Sequence, residues 1–65
     1  MKQILYNDYK EMRAEYKDVL RMRNYNNIWI DLLLEDFDNL IRAQRWDALT
    51  LLMKDIGVEL IAERI

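Results

Sequence analysis

The sequence predicts an all-α fold: a small three-helix bundle with a short fourth helix at the C-terminus, expected to pair as a homodimer. Three observations predict it. Helix breakers are almost absent, with no Pro and one Gly (Gly57) in 65 residues. Apolar residues recur at helical spacing through most of the chain. Two short clusters, Asn24-Tyr25-Asn26-Asn27 and Arg45-Trp46-Asp47, punctuate that pattern.

The clearest helix is predicted over residues 4–23. Leu5, Tyr9, Met12, Tyr16 and Val19 alternate at spacings of four and three, as in packed helices. At about 100° per residue the charged positions then sort into two flanks. Lys10, Arg13, Lys17 and Arg21 lie on one side of the stripe, and Asp8, Glu11, Glu15 and Asp18 on the other. Asn7 or Asp8 suits the N-cap. The asparagine-rich cluster is a turn, because Asn tolerates left-handed backbone and offers an acceptor to the next helix.

A second helix is predicted over residues 28–44, with Ile30, Leu33, Leu34, Phe37, Leu40 and Ile41 as its core face. Ile28, Trp29 and Leu32 project away from that face. A short turn forces the first two helices antiparallel, so the basic flank can meet Asp31, Glu35 and Asp38. Asp47 is the expected N-cap of a third helix, over residues 48–56, which buries Leu49, Leu52, Met53 and Ile56. Gly57 suits a helix end. Beyond it Val58, Ile61 and Ile65 are out of phase with the preceding stripe, which predicts a break there and then a short helix. The alternative is one long helix that buries Leu51, Val58, Ala62 and Ile65 against a second chain.

Length permits one domain, residues 1–65, and chains this short bury only about 60% of the surface exposed when unfolded. With no Cys or His, disulfide and zinc staples are excluded. Apolar residues nevertheless make up 52% of the chain. That load exceeds what three short helices hide among themselves, so part of it is expected to face a partner. Two apolar patches are the candidates: Ile28, Trp29 and Leu32, and then Leu51, Val58, Ile61 and Ile65.

Catalysis is not expected. Without His, Cys or Ser the usual nucleophiles and the near-neutral base are missing. Carboxylates are the only candidates for acid–base work; Asp31, Glu35 and Asp38 line one flank of the second helix, but so small a body can hardly enclose a glycosidase cleft. Asp36-x-Asp38 with Asp47 imitates part of a calcium loop, but Leu40 and Ile41 stand where an oxygen ligand and Gly belong. No cofactor or metal is expected. A helix-turn-helix reading around Gly57 fails on Met53, Glu59 and Glu63, the first too large and the others repelling phosphate.

The function expected is that of a small interaction protein, an adaptor or inhibitor of a protein target. A regulator carried by a phage or mobile element would suit such a chain. The alternative is a nucleic-acid-binding regulator that contacts phosphates through Lys10, Arg13, Lys17 and Arg21. The net charge of −2 weighs against it. Residues 1–27 carry net +2 and residues 28–65 net −4, which favours packing of one half on the other. The N-terminal residues lack an apolar targeting core. The longest apolar run, Leu32-Leu33-Leu34, is far short of the roughly 20 residues that cross a bilayer. A soluble cytoplasmic protein is therefore expected.

Overall fold

A computed structural model describes residues 2–62. The elements run β1 (Lys2–Leu5), α1 (Tyr9–Met22), α2 (Asn27–Arg42), α3 (Trp46–Asp55) and β2 (Val58–Ile61). The three expected helices are present. The fourth is not: residues 58–61 form a strand that pairs in parallel with β1, Lys2 opposite Val58 and Leu5 opposite Ile61. The physical reason is a period of two. Val58 and Leu60 are buried and Glu59 is exposed, which a helix over the same residues would not produce. The first helix likewise starts later than residue 4, because Ile4 is drawn into the same sheet.

Each helix starts and stops for local reasons. Asp8 caps α1, its carboxylate accepting from the Glu11 N–H at 3.2 Å. Asn26 caps α2, its side-chain oxygen accepting from the Trp29 N–H at 2.9 Å. The N-cap of α3 is Arg45 rather than Asp47, and it supplies no side-chain acceptor. Asp47 sits in the first turn instead. There the Arg45 guanidinium, 3.3 Å away, and the Ala48 N–H hold its carboxyl below the usual range.

All three helices end on a left-handed residue: Asn24 (φ 63°), Gln44 (φ 54°) and Gly57 (φ 86°). The first two close with the paired bonds of a Schellman turn. Tyr25 N donates to Leu20 O and Asn24 N to Arg21 O; Arg45 N donates to Leu40 O and Gln44 N to Ile41 O. A Cβ at Gly57 would meet nothing within 4 Å. Gly57→Ala therefore costs only the backbone strain of a left-handed L-residue, about 1–2 kcal/mol. Urea denaturation should show that loss, with helical circular dichroism unchanged in native buffer.

Helices α1 and α2 form the antiparallel hairpin expected from the short turn between them. Arg13 Nε lies 3.1 Å from Asp38 Oδ1, and one turn deeper the Tyr16 and Phe37 rings stack at 5.4 Å. The core gathers Met12, Tyr16 and Leu20 from α1, Ile30, Leu34 and Phe37 from α2, and Leu49 and Met53 from α3. Ile4, Val58 and Leu60 cover it from the sheet. In α1 the stripe follows Leu20 rather than Val19, which is half-buried. Among the described residues no polar side chain is buried.

Candidate protein interface

The outer face of α2 follows from its inner one. Ile30, Leu34 and Phe37 fix the core side. At about 100° per residue Ile28 and Leu32 then fall on the opposite side, one turn apart, with Trp29 beside them. The side chains stand in solvent: Ile28 is 72% exposed, Trp29 56% and Leu32 49%. They form an apolar ridge on the first turns of α2, next to the α1–α2 turn.

Two neighbours in sequence enlarge the apolar surface at that turn. Met22, the last residue of α1, and Tyr25 are both exposed. The sequence pointed to Tyr25 only as a stacking residue beside the basic stripe, and to Met22 not at all. The available signal was that Met22 falls off the Met12–Tyr16–Leu20 stripe at a helix end.

The second expected patch does not hold together. Val58 is only 1% exposed and belongs to the core, because β2 turns it inward. It is therefore withdrawn as a contact residue. Ile61 is half-buried and stands opposite Leu5 in the sheet. Leu51 is exposed on the outer side of α3, away from Leu49 and Met53. Ile65 lies outside the described residues.

The basic flank is partly engaged within the chain. Arg13 pairs with Asp38, and Lys17 is half-buried, while Lys10 and Arg21 are exposed. On the acidic flank, Glu15 and Glu11 receive the Lys2 ammonium at 3.0 and 3.4 Å. These bonds, that to Glu15 foremost, raise the Lys2 pKa. Among the described residues no three acids come together as a metal-binding group. No helix there is long and apolar enough to cross a membrane.

Trp46, the other tryptophan, is committed to a structural corner. Its ring meets Tyr6 edge-on at 5.5 Å and stacks on Tyr9 at 6.1 Å. The Thr50 hydroxyl donates to the Trp46 carbonyl at 2.7 Å. The Tyr6 hydroxyl, 3.0 Å from Thr50 Oγ1, therefore donates to Thr50, since that proton is already used. The corner fastens the end of β1 to α3. Only Trp29 is left to face outward. Comparison with family models, curated proteins and solved structures finds no significant match for this chain.

Proposed function

We propose that this is a small non-catalytic interaction protein, an adaptor or inhibitor, that meets a protein target through the Ile28–Trp29–Leu32 ridge. One observation carries the reading: the core closes without these three large side chains, which remain more than one third exposed. Tryptophan in such a position is the residue type that most often dominates binding energy. Met22 and Tyr25, at the α1–α2 turn, extend the apolar surface that a target could cover. A second copy of the chain is the partner the ridge meets first in purified protein, so a homodimer is part of the proposal.

Light scattering at high micromolar concentration should give the mass of a dimer. Trp29→Ala should weaken association by about 2 kcal/mol, roughly thirtyfold in Kd. Helical circular dichroism should persist, because Trp29 is more than half exposed and is not among the residues that close the core. The ridge loses its role if the variant associates and captures its native-host target as the parent does. A mass of one chain for both proteins would remove the dimer.

A further inference from the structure

A parallel sheet of two strands is an unusual object. Parallel strands are ordinarily covered on both faces, and two-stranded sheets are marginal in water unless something packs on them. Here the helices cover one face only. Gln3 and Glu59 lie on the other, joined by a 3.4 Å hydrogen bond from Gln3 Nε2 to Glu59 Oε2.

The two edges of the sheet differ. Lys2 N donates to Gly57 O and Tyr6 N to Ile61 O, so the even-numbered N–H groups of β1 point at β2 and the odd-numbered ones away. Leu5 O is taken by the Asp8 N–H at 3.0 Å. That leaves the N–H and C=O of Gln3 and the N–H of Leu5 on the outer edge, and both residues are exposed. The outer edge of β2 belongs to Val58 and Leu60, which are buried. Among the described residues, only the β1 edge presents free backbone groups to a further strand.

The charge beside that edge is negative in excess. Lys2, projecting from the helix-facing side of β1, reaches Glu15 and Glu11 on α1. Asp18 is exposed on the same flank. Two of these three carboxylates, Glu11 and Glu15, share one ammonium, which already shows how a strand-borne lysine is held. We propose that the β1 edge accepts an extended basic peptide as a third strand. Its backbone pairs with Gln3 and Leu5, and its alternate lysines reach the Glu11–Glu15–Asp18 flank. This is recognition by strand addition, on a surface separate from the α2 ridge. A copy of β1 is the poorer occupant, since antiparallel pairing brings two acidic flanks together.

The test uses the full chain and a capped six-residue peptide that alternates lysine and valine. A peptide with glutamate in place of lysine is the control. Binding should slow hydrogen exchange at the Gln3 and Leu5 amides, and the glutamate peptide should not bind. Gln3→Pro removes a donor that no ladder bond uses, so the fold tolerates it. It should weaken peptide binding about tenfold. Asp18→Asn should weaken it a few-fold and reduce its salt dependence. Should Gln3→Pro fail to fold, the Asp18→Asn result and the amide pattern decide. Equal binding of both peptides overturns the proposal, as does unchanged binding in the folded variants. Protection that grows with protein concentration alone would assign the edge to a second copy and overturn it too.

Discussion

Phe37→Ala leaves the chain largely unfolded at room temperature. Phe37 is only 1% exposed and its ring stacks on Tyr16, where α1 crosses α2. Truncating a buried Phe to Ala costs about 3–5 kcal/mol, the lost transfer energy plus the cavity left behind. Domains carry about 0.05–0.15 kcal/mol of stability per residue, roughly 3–10 kcal/mol for a chain of this length. The loss is thus comparable with the whole reserve, and without Cys no disulfide compensates. Far-ultraviolet circular dichroism along a urea series measures it. A midpoint close to that of the parent would mean that Phe37 does not anchor the core.

The second large effect is at Val58. Val58→Asp places a carboxylate where only 1% of the residue meets solvent, among Ile4, Leu60 and Met53 of the apolar core. Breaking the core with an unpaired charge costs several kcal/mol. The sign with pH is specific. Burial raises the folded-state pKa of the introduced carboxyl above its unfolded value. The folded form then binds the proton more tightly, so stability recovers as pH falls through that raised pKa and is lost as pH rises. Thermal unfolding of the variant in buffers from neutral to mildly acidic pH should show a rising midpoint. A variant that keeps its helical signal at neutral pH and loses only self-association would return Val58 to the surface.

The contrast between Val58 and Trp29 shows what the sequence could and could not convey. The α1–α2 hairpin was legible because its stripe repeats over several turns and its flanks carry complementary charge, down to Arg13 and Asp38. Asp8, the turn at Asn24–Asn27 and the break at Gly57 were legible because each residue type has a local reason to be there. Gln44 was not, since Gln has no special ease in the left-handed region that φ 54° requires. The strands were missed for another reason. Four residues are too few to separate a period of two from one of 3.6, and Leu5 happens to fall in phase with Tyr9. Pairing between Lys2–Leu5 and Val58–Ile61 leaves no trace in either segment alone. The exposure of Ile28, Trp29 and Leu32 followed from helical phase, which was correct. The placement of Val58 on a surface followed from a helix that does not exist.

The joining of β1 to β2 also bears on how the molecule comes together in time. Gln3 and Glu59 touch across 56 positions of sequence, whereas each helix forms from contacts three or four residues apart. Bringing distant segments together costs closure entropy before any contact rewards it. The hairpin of α1 and α2 can therefore gather first, and α3 shortens the effective distance when it docks. The ladder is then expected to be the closing step of folding, and amide exchange at Ile4 faster than at Leu20 and Leu34 would show it opening first.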